Sequence, residues 1–126
     1  MRMKPVWLLS LMLSLQASPA GARMIIADYP ACDLKTQHAL AGVVGAEITD
    51  QRQAHIAERA NILQADIGNA RKARYLSQGL ANRMWRQVDA VRTDADALQR
   101  RQGFLSAAER ASYDRQLDSI AGRLCR

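Results

Sequence analysis

Proline is absent from Asp33 to Arg126; the chain's three prolines are Pro5, Pro19 and Pro30. A stretch of that length without proline, rich in Ala, Arg, Gln and Leu, favours helix throughout. Aromatic residues are scarce, at 5% of the chain. The core must therefore be assembled from alanine and leucine with sparse isoleucine and valine, which bury modest area per residue. Strand patterning is missing too. No window alternates Val, Ile or Thr with period two, which argues against a sheet. A glycine-rich phosphate loop, a serine nucleophile elbow and paired buried acids are likewise missing. These absences speak against an enzyme, and no cofactor is expected.

Long hydrophobic runs are limited to one, Val6 to Leu15, about ten residues against the ~20 needed to span a bilayer. Arg2 and Lys4 precede it, and Ala20-Gly21-Ala22 follows as a small-residue exit. This is the pattern of a secretory signal peptide with Ala20 and Ala22 at the minus-three and minus-one positions. The expected organisation is a leader over residues 1–22 and a single helical domain over 23–126, periplasmic or secreted. No integral membrane segment is expected in the mature chain. Losing Arg2 and Lys4 from 18 basic residues leaves 16 against 12 acids, a net charge of +4. Such mild basicity favours loose attraction to anionic surfaces or acidic proteins without choosing among them.

Cysteine is nearly absent: only Cys32 and Cys125, at the two ends of the mature chain. In an oxidising compartment an even count of two reads as one disulfide. Closing nearly the whole domain contributes about 4–5 kcal/mol in the chain-entropy model. An intermolecular bridge or a redox pair is the alternative, although there is no Cys-x-x-Cys to support the latter.

Four helices are expected. Asp33 caps a first, short one over Leu34, Leu40, Val43 and Val44, with Gly42 and Gly45 weakening its end. A second runs from about Glu47 to Arg74, with Ile56, Ala60, Leu63, Ile67 and Ala70 as one apolar stripe. Ser77 starts a third, with Leu80, Met84, Val88, Val91, Ala95 and Leu98 on one face, and Gly103 stands where a left-handed C-cap residue is wanted. Ser106 and Glu109 form a capping box for the fourth, whose face is Tyr113, Leu117, Ile120 and Leu124. The fold class is all-α, an up-down bundle. Successive helices reverse direction, so Cys32 and Cys125 meet at one end only if the number of traverses is even. A three-helix bundle with residues 33–46 extended along its side is the alternative.

An internal repeat runs through the last two helices at an offset of 29 residues, from Ser77 to Ser106. Leu76-Ser77 matches Leu105-Ser106, Tyr75 matches Phe104, and Arg86-Gln87-Val88-Asp89 matches Arg115-Gln116-Leu117-Asp118. The second copy, Gly103-Phe104-Leu105-Ser106-Ala107-Ala108-Glu109, resembles the Gly-x-Leu-[Ser/Thr]-x-x-Glu unit of many small exported proteobacterial proteins, which are basic, helical and largely without assigned function. In the first copy Arg74 replaces the glycine and Leu80 the glutamate. The two Leu-Ser segments also resemble, more faintly, the Leu-Thr-x-x-Gln motifs of the Spy/CpxP periplasmic chaperones. That likeness implies a class of function, and no residue role is carried over.

The chemistry-bearing residues are few. Gly103, Leu105 and Glu109 match positions six, eight and twelve of an EF-hand loop, but the ligand positions fall on Leu98, Arg100 and Gln102, which excludes calcium. Asp94 and Asp96 read as solvated helix residues. His55 and Glu58 share a helical face with His-x-x-Glu spacing, the pattern of a surface histidine beside a glutamate; His38 lies near Cys32 and Asp33. Asp89 and Asp118 are expected to pair with Arg86, Arg92 or Arg115. The basic clusters Arg71-Lys72-Ala73-Arg74 and Arg100-Arg101 fall at helix C-termini, where cations suit the macrodipole. No aromatic residues interleave them, which disfavours nucleic acid. No metal site is expected.

The expected function is non-catalytic binding of envelope proteins, chaperone-like or stress-associated, with a structural subunit that self-associates through its helices as the alternative. Trp85, Arg86 and Tyr113 are the candidate partner contacts, an aromatic beside an arginine being a favoured anchor. Trp85 adjoins the stripe residue Met84, and half-burial at a helix seam is the stronger reading for it.

Overall fold

Asp50, Ser77 and Ser106 each turn a side-chain oxygen onto the backbone N–H three residues ahead, and each starts a helix. The computed structural model describes residues 28–126; the expected leader, residues 1–22, and its cleavage site lie outside them. A 3-10 turn at Pro30–Cys32 leads into α1 (Leu34–Ala39), followed by α2 (Gln51–Lys72), α3 (Gln78–Gln102) and α4 (Ala107–Leu124). Among the described residues the only β pairing is an isolated bridge between Gly45 and Ile48. The protein is an all-α up-down bundle with a short first helix.

The expected stripes form the core. Ile56, Ala60, Leu63, Ile67 and Ala70 of α2 meet Met84, Val88, Val91 and Ala95 of α3, and Tyr113, Leu117, Ile120 and Leu124 of α4. Leu80 and Leu98 are partly buried at its margin. Fully burying an Ile56 or Leu117 side chain contributes about 1.5–3 kcal/mol. The small side chains Ala60 and Ala95 let the helices approach closely enough to exclude water.

Both ends of α3 follow the sequence. Ser77 Oγ accepts from Leu80 N at 3.2 Å, and the helix stops at Gly103, whose φ of +88° is left-handed. Ser106 and Glu109 form the capping box reciprocally, at 2.7 and 3.1 Å. The Ser106 backbone N–H, with smaller contributions from the Ser106 and Gln102 side chains, holds the Glu109 carboxyl below its ordinary value against the pull of burial.

The first helix differs from expectation. It ends at Ala39 rather than running on through Val44, and Leu40 turns extended at ψ 128°. The cause lies in α2, which recruits the backbone beyond Ala39. Leu40 O faces His55, and the Gln51 side chain donates to Ala41 O and Gly42 O. Gly42 crosses α2 so closely that a Cβ there would sit 2.4 Å from the backbone of Ala54 and His55. Only glycine fits, and its φ of +79° excludes most other residues independently. Val43 and Val44 consequently face outward, Val43 with 79% of its surface exposed, and Leu34 is also exposed.

Residues 33–50 thus make the return traverse as a short helix followed by an irregular strap. Cys32 and Cys125 meet at one end of the bundle and are joined as a disulfide with a Cα–Cα separation of 5.7 Å. Next to it, Asp66 of α2 accepts the Ala31 N–H at 2.8 Å, and Tyr29 and Ala31 are buried beside it. No described helix is long and apolar enough to cross a membrane.

A buried charge network as candidate functional site

On α2, His55 and Arg59 lie one turn apart, each next to a core residue, Ile56 and Ala60. On α4, Arg110, Asp114 and Asp118 share a face at the same spacing, with Asp114 and Asp118 following the core residues Tyr113 and Leu117. Packing the stripes therefore brings the flanking charges together along the α2–α4 seam. Arg59 Nη1 donates to Asp114 Oδ1 and Arg59 Nη2 to Asp118 Oδ1, both at 2.7 Å. His55 Nε2 lies 2.8 Å from Asp114 Oδ1, and Arg110 Nε lies 3.6 Å from Asp114 Oδ2. His38, at the end of α1, reaches Asp118 through Nε2 at 2.8 Å.

These contacts hold the strap down. His55 Nδ1 faces Leu40 O at 2.6 Å, and Arg110 Nη2 donates to His38 O at 2.8 Å. Both ring nitrogens of His55 face oxygen atoms, and Arg110 Nη2 lies 3.3 Å from the same Nδ1. His55 is sealed, with 1% of its surface exposed, and Arg59 and Asp114 are buried with it. Burial pushes the Asp114 carboxyl up; the hydrogen bonds and charges of His55 and Arg59 outweigh it and leave the group below its ordinary value.

Several expectations change here. His55 is a buried anchor rather than a surface histidine, because its partners are Leu40 and Asp114 and not Glu58. Asp118 pairs across the bundle with Arg59 and His38 instead of along its own helix. Asp94 accepts the Tyr113 hydroxyl at 2.8 Å and Asp96 accepts from Gln53 at 2.9 Å, so both are bonded rather than merely solvated. Burial first, then Asp94, pushes the Tyr113 hydroxyl up to about 12.

The three candidate contacts separate. Tyr113 is buried, and its ring offers no surface to a partner. Trp85 keeps 45% of its surface exposed, and its carbonyl accepts from Gln64 of α2. It stands at the outer edge of the α2–α3 seam with a little over half of its surface covered, the half-burial expected for it. Arg86 beside it is exposed. Tyr75 and Phe104, which precede the Leu-Ser segments, are exposed as well; the sequence paired them without indicating this. Basic residues close α2 (Arg71, Lys72) and α3 (Arg100, Arg101) in their last turns, at opposite ends of the bundle.

The network's chemistry is that of a clamp. Among the described residues, neither histidine is hydrogen-bonded to a serine or threonine hydroxyl, and both cysteines are in the disulfide. No group of three or more His, Cys, Asp or Glu side chains among them is placed to hold a metal ion. No protein-family model, curated protein or solved structure matches the chain.

Proposed function

We propose that this chain is an exported, non-catalytic helical protein that works by contact with other envelope proteins, in a chaperone-like or stress-associated manner. The observation that carries this reading is Trp85, a large aromatic left 45% exposed in mid-helix beside the exposed Arg86. Aromatic and arginine side chains supply much of the contact energy at protein interfaces. Tyr75 and Phe104 add two further exposed rings at the turns on either side of α3. The disulfide suits an oxidising compartment, as the basic leader and Ala20-Gly21-Ala22 exit do. The charged residues along the α2–α4 seam hold the strap, which leaves recognition to the outer faces. The matching Leu-Ser segments keep the likeness to small exported proteobacterial proteins, and to Spy/CpxP chaperones, as part of this proposal, with duplication of one helical unit as its origin.

The test is site-specific photocrosslinking in cells from position 85, followed by mass spectrometry of the captured proteins. Capture of many unrelated envelope proteins, together with suppression of client aggregation that Trp85→Ala weakens, supports the reading. One stoichiometric partner, or only a second copy of the chain, overturns it in favour of an assembly subunit.

A further inference from the structure

From Ile67 to Val88 the chain carries five cations, Arg71, Lys72, Arg74, Arg83 and Arg86, and no acid. That span is the tip of the α2–α3 hairpin: the last turns of α2, the connecting turn and the first turns of α3. All five residues are exposed, and none belongs to an ion pair among the described residues. The elements around the tip bring the acids Asp28, Asp33, Asp66 and Asp89, but also Lys35, Arg123 and Arg126. Asp118, lower on α4, is answered by Arg59. With a carboxylate at Arg126 counted as well, eight cations stand against five anionic groups at this end. The other end has no such excess. There Arg100 and Arg101 are matched by Asp94, Asp96 and Glu109, and Arg52 and Arg110 by Glu47 and Asp50.

Two exposed rings lie in the same region, Tyr75 in the turn and Trp85 on α3. Gln64 of α2 donates to the Trp85 carbonyl at 3.3 Å, which sets Trp85 on the outer α2–α3 seam. Arg71 lies two turns above Gln64 on the same side of α2. Gly68, between them, contributes no side chain, and the space that its Cβ would occupy is open. Three clefts open elsewhere, between α3 and α4, at His38 and beside the strap, and none is lined by these cations or rings. Dispersed cations without a cleft suit a broad anionic surface better than a small ion or an extended peptide, which needs a groove to hold it. Tryptophan and tyrosine favour the bilayer interface, where one edge of the ring is apolar and the other wet. Basic side chains beside them gain from the negative potential of anionic lipid.

We infer that the tip of the α2–α3 hairpin docks on an anionic lipid surface, with Trp85 at the level of the headgroups and the Cys32–Cys125 end turned to the membrane. The attachment is peripheral, since no described helix is long and apolar enough to cross a bilayer. The inference goes beyond client binding and shares with it only the Trp85–Arg86 face.

The experiment reads Trp85 fluorescence in the full chain carrying Trp7→Phe, which leaves Trp85 as its one tryptophan. Vesicles of phosphatidylcholine, alone or mixed equally with phosphatidylglycerol, carry brominated acyl chains that quench a ring in contact with them. Saturable quenching is expected on the anionic vesicles, with little on phosphatidylcholine alone, and raised salt is expected to reverse it. Arg71→Gln/Lys72→Gln is expected to weaken binding about twentyfold, each cation near such a surface being worth roughly fivefold. Arg100→Gln/Arg101→Gln removes the same two charges from the last turn of α3, and is expected to weaken it less than about threefold. Both pairs close a helix, so their effects on the macrodipole match. Absence of quenching, equal quenching on both kinds of vesicle, or equal weakening by the two double variants overturns the inference. So does binding of polyglutamate that depends on Arg71 and Lys72 while vesicles leave Trp85 unquenched, which would assign the tip to an acidic protein instead.

Discussion

Asp114 and His55, 2.8 Å apart between α4 and α2, are the centre on which the strap's attachment depends. Asp114 Oδ1 receives both His55 and Arg59, and His55 passes the connection on to Leu40 O. One carboxylate therefore joins α4 to α2 and, through the imidazole, to the segment leaving α1. Removing it leaves the buried Arg59 guanidinium with the Asp118 carboxylate alone and Arg59 Nη1 without its acceptor. Asp114→Ala is expected to cost about 3–5 kcal/mol, as breaking one side of a buried ion pair does, read from urea unfolding. Asp118→Ala, at the half-open end of the same network, is expected to cost about 1 kcal/mol.

Two buried carboxyls give stability opposite pH dependences. The folded state holds Asp114 below its ordinary value, so its contribution is present above the usual carboxylate range and is lost as pH falls through the depressed value. Burial raises Asp66, against a smaller opposing effect of the Ala31 N–H. Its favourable contribution is full at low pH and is lost as pH rises through the raised value. Asp66→Asn is expected to raise the melting temperature at pH 7 relative to pH 4, whereas Asp114→Asn is expected to remove acid lability. Melting curves of both variants across pH 2 to 8 separate the two effects; an unchanged profile in either removes that carboxyl's assignment.

Reducing the Cys32–Cys125 bridge is expected to lower stability by about 4–5 kcal/mol, because the closed loop covers nearly the whole domain. Urea titrations with and without reductant, beside the Cys32→Ser/Cys125→Ser double variant, measure this. Equal midpoints in the two titrations would show that the bridge contributes nothing to the bundle.

Arg74 and Gly103 occupy matching places before the two Leu-Ser segments, and both are left-handed, with φ of +65° and +88°. Glycine accepts that conformation freely and arginine does not. Arg74→Gly is therefore expected to stabilise by about 0.5–1 kcal/mol, and Gly103→Ala to destabilise by about 1 kcal/mol. Thermal unfolding of the pair checks the contrast, since a general entropic effect of glycine content would reverse both signs, destabilising Arg74→Gly and stabilising Gly103→Ala.

The long helices were legible because their information is local: a stripe at helical spacing in each, a serine at the start of α3 and of α4, a glycine at the stop of α3. The strap was not. Leu40 through Val44 carry an apolar pattern that reads as helix, and what diverts them is a histidine side chain 15 residues away and a backbone crossing that only Gly42 permits. His55 misled for the same reason. Its helical neighbour Glu58 is visible in sequence, while its partner Asp114 lies 59 residues on. One signal was available: His55, Arg59, Asp114 and Asp118 each sit beside a stripe residue, where a charge is half inside the bundle and needs an opposite one. Tyr113 was legible as core, which is what removed it as a contact surface.

Joining Cys32 to Cys125 makes the folded domain from the first turn to the end of α4 a covalent ring. A protease that cuts the exposed turn at Gly45–Glu47 would open the backbone without freeing a piece. The two parts would travel as one mass until a reductant separated them. Damage to this protein in an oxidising compartment would thus be invisible to size alone.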